Sequence, residues 1–364
     1  MYVRWQCFAQ AVSLGDPQRN ARGATGKAVS EVEAICQQVD RLPLAIELAA
    51  MHVKLLPLSE LQKRLNHRLT LLRDGARDLP KRQQTMENAI AWSYELLTEE
   101  HQQCFRALGV FVGGWTLEAA EEICQDRQNT MSETFVLILA ALVDASLIQV
   151  EIPTEGRERF GMLEMIREYA LEQLSTAREE ELCRRRHAAY YARLAETIMA
   201  YFGVEQGARK SHFALTLELP NARAALEWAE EKNEAELGLR LAGFARLWHV
   251  QGQMSEAEQW MERMLALDQR AREQGEQAAP LPLRIAMLYG FGRTQVRHGR
   301  TEQRAEVYAN EALYLAQSIG DQNGICNAYA TLGMIAQANG KLDEAEHAYI
   351  ESDALARQLK HSGL

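Results

Sequence analysis

The sequence predicts a fold dominated by α-helix, with one small β-hairpin and a solenoid of helical hairpins in its C-terminal half. Three observations predict it. Nearly every stretch with hydrophobic periodicity carries the 3.6-residue period of an amphipathic helix. Only two short runs, 147–152 and 159–163, are rich in β-formers, and Pro153, Thr154, Glu155 and Gly156 between them have turn composition. Beyond Thr176 three segments align on Gly252, Gly299 and Gly340. At 364 residues the chain is long enough for two to three domains, each with its own core.

From the N-terminus, 15–26 reads as a polar loop, and Ser30-Glu31-Val32-Glu33 forms a capping box that opens a helix through about Val39. Val32, Ile35, Cys36 and Val39 fall on one stripe of that helix. Pro43 cannot continue it but suits the first turn of the next helix, 44–53. A third helix starts at 59–62 and carries Leu61, Leu65 and Leu69. Residues 1–75 therefore read as a small helical subdomain, closed by a Gly/Asp/Pro linker over 74–80. Helices follow at 86–97, 99–112, 117–125 and 132–145, then the hairpin, then a helix ending at Leu174. Helices followed by a short hairpin make a winged helix over 76–176.

The remainder, 177–364, reads as tetratricopeptide-like helical repeats. Seven residues before each aligned glycine stands a small residue, Ala245, Gly292 or Gly333, preceded by Phe244, Phe291 or Leu332. Nine after it come Met261, Tyr308 and Tyr349; five after it come Ala257 and Ala345, with Arg304 the exception. The small residue lets paired helices approach, the glycine turns the chain, and the later aromatic is expected to fill the groove towards the next unit. Spacings of 47 and 41 residues exceed those of a plain tetratricopeptide repeat, which longer helices explain.

Composition excludes several classes. With 47% hydrophobic and 25% charged residues, the chain is neither disordered nor collagenous. The longest apolar run, 135–143, is far short of a membrane span, and the N-terminus lacks the pattern of a signal peptide. Cys7, Cys36, Cys104, Cys124, Cys183 and Cys326 are scattered without metal-ligand spacing, as expected of reduced thiols in a cytoplasmic protein. A net charge of −10 argues against wholesale binding of nucleic acid or anionic membrane.

Enzymatic motifs fail one by one. Gly26-Lys27 has Ala21 where a phosphate-binding loop needs its first glycine and Ala28 where it needs Ser or Thr. Gly340-Lys341 is followed by Leu342, and Gly290-Phe291-Gly292 lacks both a preceding strand and a third glycine. Glu164 and Glu168, with Arg167 between them, suit a solvated helix face better than acid/base catalysis. Glu179-Glu180-Glu181 stands against Arg184-Arg185-Arg186 at helical spacing, a modest stabiliser. No catalytic residue and no metal site is expected in this chain, and no Walker A or B element. One basic stretch, Lys63, Arg64, Arg68, Arg73, Arg77, Lys81 and Arg82, suits either phosphates or an interdomain surface meeting the acidic repeats.

At Leu42-Pro43-Leu44-Ala45-Ile46-Glu47-Leu48-Ala49-Ala50 the chain resembles the GLPLA segment of NB-ARC domains, found in STAND-class signal-transduction NTPases. Arg77 to Met86 and Trp92-Ser93-Tyr94-Glu95-Leu96-Leu97 resemble the entry to that family's winged helix. Phe111 to Ala120 and Met162 to Ala170 continue it. Leu219-Pro220-Asn221-Ala222-Arg223-Ala224-Ala225-Leu226-Glu227-Trp228 is similar to the run opening the repeat array of AfsR-like bacterial regulators. The resemblance covers essentially the whole chain and implies that a P-loop half precedes Met1. Many relatives place Met-His-Asp before the last winged-helix helix, the His meeting the β-phosphate; here Met162, Leu163 and Glu164 stand instead.

What the resemblance implies is a switch. The winged helix acts as a nucleotide-dependent lid, and the repeats sense a protein or peptide ligand. ADP or ATP with Mg would serve the complete protein, Pro43 and Leu44 lie at the nucleotide, and activation brings self-association. Two other readings remain open on the sequence: a free-standing tetratricopeptide scaffold, and a DNA-binding regulator that uses the winged helix. Against the last stands helix 132–145, Phe/Val/Leu/Ile-rich and without Lys or Arg, which reads as core and makes direct DNA binding unexpected.

Overall fold

A computed structural model describes residues 34–37, 58, 86–124, 132–151, 158–201, 215–297 and 303–361. The chain divides into two compact units, Met1–Arg186 and His187–Leu364. Fourteen α-helices and one two-stranded antiparallel sheet are found among the described residues. Within the expected N-terminal helices, residues 34–37 are helical with Ile35 and Cys36 buried, and Leu58 is buried.

In the first unit α1 (Met86–Glu95), α2 (Glu99–Leu108), α3 (Leu117–Cys124) and α4 (Ser132–Asp144) precede the hairpin of β1 (Gln149–Glu151) and β2 (Arg159–Gly161); α5 (Glu164–Thr176) follows. Thr98 caps α2 by accepting the His101 amide at 3.4 Å. The helix stops four residues before the expected end. Gly109 caps it, and a Cβ there would stand 2.9 Å from the Ala170 Cβ of α5, so the glycine lets the two helices close. The chain then reverses at Gly113 and Gly114, both at positive φ. Trp115 and Phe160 exchange backbone N–H donations of 2.8 Å each, which extends the sheet by one bridge.

The first strand is shorter than the β-rich run suggests. Leu147 and Ile148 donate their amides back to the Leu142 carbonyl, at 3.0 and 3.4 Å, and bury their side chains. They finish α4 instead of joining the ladder, which begins at Gln149 opposite Gly161. Phe111 stacks on Trp115 at 5.0 Å, and Tyr94 meets Phe105 and Tyr169 at 5.5 and 5.7 Å, so aromatic pairs knit α1, α2 and α5. Together these elements form the expected winged helix.

The boundary between the units falls inside α6 (Glu180–Tyr201). In the second unit follow α7 (Leu219–Glu231), α8 (Ala235–Leu241), a 3-10 turn (Ala242–Phe244), α9 (Ala245–Val250), α10 (Met254–Gln274), α11 (Leu281–Arg297), α12 (Gln303–Ile319), α13 (Gln322–Ala338) and α14 (Leu342–His361). They stack as helical hairpins. Gly252 and Gly340 take positive φ at the hairpin turns; Gly299 lies outside the described residues. The small residues do allow close approach: a Cβ on Gly292 would come 3.0 Å from the Thr331 methyl, and one on Gly333 2.7 Å from the Tyr349 ring.

The aromatic position works differently from expectation. Tyr308 packs edge-on against Phe291 at 5.1 Å, and Tyr349 lies over Gly333. Each aromatic therefore packs inside its own hairpin, Tyr308 on Phe291 and Tyr349 on Gly333. The next hairpin is received by alanines: Ala305 and Ala309 of α12 pack with Ile335 of α13.

Candidate functional site

Pro43, Leu44 and the basic stretch 63–82 lie outside the described residues. Leu163 is the N-cap residue of α5, half-buried, and makes no side-chain capping bond. Glu164 is committed locally: its carboxylate takes Arg167 Nη2 at 2.6 Å and Nε at 3.0 Å. Among the described residues no group of three or more His, Cys, Asp or Glu could hold a metal ion. Burial pushes the Cys183 thiol up to about 11 and raises Cys124 as well, which makes both poor nucleophiles.

The surface of the winged helix carries more information. Phe135, Ile138, Leu139 and Leu142 turn one side of α4 into the core. The opposite side exposes Val136 by 47% and Leu137 by 69%, with Ala140 exposed beside them. The helix expected to be core throughout is therefore core on one side and exposed on the other. Uniformly apolar composition leaves no amphipathic signal, so only packing reveals which face is uncovered. An apolar surface without Lys or Arg offers no donor to phosphates or base edges but suits a protein surface.

Behind that face Arg106 ties the unit together. The buried guanidinium donates to Glu179 from Nε at 3.1 Å and from Nη2 at 3.2 Å, and to the Tyr94 hydroxyl at 2.8 Å. Glu179, just before α6, thus pairs with Arg106, whereas Glu180 takes Arg184 at 2.8 Å. Arg159, also buried, donates to the Gly114 carbonyl at 3.0 Å and fixes the turn that presents Trp115.

In the repeats, the run beginning Leu219-Pro220-Asn221 closes a polar cluster. Buried Glu218 accepts the Tyr191 hydroxyl at 2.8 Å, and Asn221 lies 3.3 Å from His187. Further along, Asp268 is fully buried on α10. It accepts Arg284 Nη1 at 2.7 Å, Arg272 Nε at 2.9 Å and the Ala279 amide at 2.7 Å. Arg284 continues to Glu311 of α12 at 2.6 Å. One carboxylate thus joins two hairpins and the turn between them.

Two further pairs link α7 to α10: Arg223 with Glu256, and Arg263 with Glu230, the latter guanidinium lying 3.9 Å from the Trp260 ring centre. The Arg263 hydrogen bonds hold Glu230 below its ordinary value of 4.5, and those of Arg223 do the same for Glu256. A lowered folded-state value means stability that is present above the ordinary carboxylate value and is lost as pH falls through the folded one. Thermal melts should show the repeat unit losing stability as pH falls below the ordinary carboxylate value of 4.5, and Glu230→Gln with Glu256→Gln should flatten that decline. An unchanged acid limb in the double variant would assign it to other carboxylates.

No protein-family model matches the chain. It is 31% identical over 364 aligned residues to proteins of Mycobacterium bovis and Mycobacterium tuberculosis that carry the provisional description HTH-type transcriptional regulator. The match covers 97% of this chain and 39% of each relative, so the chain spans about two fifths of their length. An uncharacterized protein of Mycobacterium tuberculosis is 30% identical over 172 residues, 47% of this chain and 44% of its own. Among solved structures, a signal transduction ATPase with numerous domains and a tetratricopeptide repeat sensor, from Pyrococcus horikoshii, aligns over 86% of this chain and 47% of that one. Its TM-score is 0.39 at 15% identity. No described helix is long and apolar enough to cross a membrane.

Proposed function

We propose that this chain is the regulatory and protein-interaction portion of a STAND-type signal-transduction NTPase that controls transcription. The winged helix serves as its nucleotide-dependent lid, and the repeats serve as its sensor for a protein or peptide. The observation that carries the reading is the outward face of α4, where Val136 and Leu137 stand exposed on a helix without a cation. On a winged helix this is the element expected to enter a DNA groove, and its chemistry suits a protein surface instead. The mycobacterial relatives, regulators by description, support the transcriptional setting; reading of DNA is assigned to parts of the longer protein outside this chain.

ADP or ATP with Mg belongs to the complete protein in this reading, with Pro43 and Leu44 on the turn that meets the nucleotide. The position where many relatives place the phosphate-meeting His offers no phosphate ligand. Leu163 has no polar side-chain atom, and the neighbouring Glu164 is negative and taken by Arg167. The lid is accordingly held by apolar contact through α4. Self-association follows release of that contact.

Duplex titration of the 1–364 chain tests the reading, with fluorescence anisotropy as the readout. The expected result is no salt-sensitive binding of mixed-sequence DNA at micromolar protein. Binding whose affinity falls steeply with salt would make the winged helix a DNA reader and overturn the lid. In the longer protein, Pro43→Ala is expected to weaken nucleotide binding; unchanged affinity would remove Pro43 from the site.

A further inference from the structure

Three thiols from three helices gather in the winged-helix unit. Cys104 lies in the middle of α2, Cys124 is the last residue of α3, and Cys183 stands near the start of α6. Cys104 and Cys183 are buried, and Cys124 is half-buried. The Cys124 thiol donates to the Cys104 carbonyl at 3.8 Å and has the Cys104 thiol as a further hydrogen-bond partner. Cys183 enters only electrostatically. We propose that Cys104 and Cys124 form a reversible disulfide when the protein meets a peroxide, which makes this pair an oxidant-modified site and leaves Cys183 reduced.

The choice of pair follows from the contacts. Both cysteines sit on formed helices joined through the Gly113–Gly114 reversal, so their approach is set by packing. Cys124 is the partner able to yield. It closes α3, where the last carbonyls lack helical amides and Arg186 Nη1 donates to the Ile123 carbonyl at 3.4 Å. A last turn opens more readily than a middle one, which lets Cys124 swing onto the Cys104 sulfur and admits a small oxidant. Disulfides in thiol-reducing compartments are characteristically transient ones of this kind.

The chemistry balances with hydrogen peroxide as oxidant. The Cys124 thiolate attacks one peroxide oxygen: the S–O bond forms, the O–O bond breaks, and the departing hydroxide takes up the proton that Cys124 gave away. The Cys104 sulfur then attacks the sulfenic sulfur. The S–S bond forms, and the sulfenic hydroxyl leaves as a second water with the Cys104 proton. Two thiols and one peroxide become one disulfide and two waters. Burial and the Cys104 thiol push Cys124 up against the opposing charge of Arg186, so little thiolate exists at neutral pH and the step is slow. The pair therefore records sustained oxidant and not a brief pulse. Closing the chain from α2 to α3 constrains the unfolded state and stabilises the unit.

The test treats the reduced 1–364 chain with millimolar hydrogen peroxide at mildly alkaline pH. Remaining thiols are blocked with N-ethylmaleimide in denaturant, and peptides are mapped by mass spectrometry without reduction. The expected result is a cross-linked pair of peptides holding Cys104 and Cys124 in the monomeric chain, released by dithiothreitol, with Cys183 carrying the maleimide. The oxidised chain should also melt a few degrees higher than the reduced one; a lower melting temperature would show a bridge made only in unfolded chains and overturn the proposal. Cys183→Ala should keep the cross-link and Cys124→Ser should abolish it. The wild-type map decides the pairing even where a variant fails to fold. A Cys124–Cys183 bridge, disulfides between chains, or sulfinic acid at Cys124 beside a maleimide-labelled Cys104 would each overturn it, as would maleimide on both Cys104 and Cys124.

Discussion

Asp268→Asn is expected to destabilise the repeat unit by about 3 kcal/mol, one of the two largest single-residue effects in the chain. The carboxylate is fully buried and accepts two guanidinium groups and a backbone amide. Asparagine keeps the shape and one acceptor but removes the charge, leaving Arg284 with Glu311 as its remaining carboxylate. Breaking a buried pair from one side costs about 3–5 kcal/mol, and the lower end applies because Glu311 and solvent near Arg272 soften the loss. For a unit of this size that corresponds to a melting shift of about 6–12 °C, readable by calorimetry. Replacing both partners, Asp268→Leu with Arg284→Met, should recover much of the loss, since a buried pair exchanged for apolar packing is often neutral. A shift under about 1 kcal/mol in the single variant would show that the turn at 275–280 is held by its backbone alone.

Arg106→Leu is the counterpart in the winged helix, with an expected cost of about 3 kcal/mol. The side chain joins α2 to Glu179 at the start of α6 and to Tyr94 on α1, in a two-bond fork that leucine cannot replace. Glu179 is 30% exposed and can rehydrate, which keeps the loss below the upper limit. Arg106→Lys retains charge and loses the fork, so an intermediate melting temperature is expected. Identical stability of the Lys and wild-type proteins would mean that the fork geometry contributes nothing. Because α4 packs on the same core, Arg106→Leu should also loosen the Val136–Leu137 surface, seen as faster hydrogen exchange in α4.

Local signals were legible in the sequence. The helix starts and the hairpin turns come from residues whose backbone preferences act within a few positions. Gly252 and Gly340 take the positive φ expected of chain-turning glycines, and Thr98 sits where a cap is needed. Strand length was less legible: Leu147 and Ile148 are good β-formers, yet the free carbonyl of Leu142 captures their amides first. The candidate surfaces were legible only in part. The exposed side of α4 was hidden because Phe135 to Val143 is apolar all round.

Sequence by itself determined the order of the elements, the place of each turn and the small residues that let helices meet. These depend on backbone freedom and on a period of a few residues, both written locally. The tertiary structure decided what faces what. Asp268 meets Arg284 and, through it, Glu311; Arg106 meets Glu179; Tyr349 falls into its own hairpin. No local period encodes such partners, since each depends on the distance and rotation at which two separately formed helices come to rest.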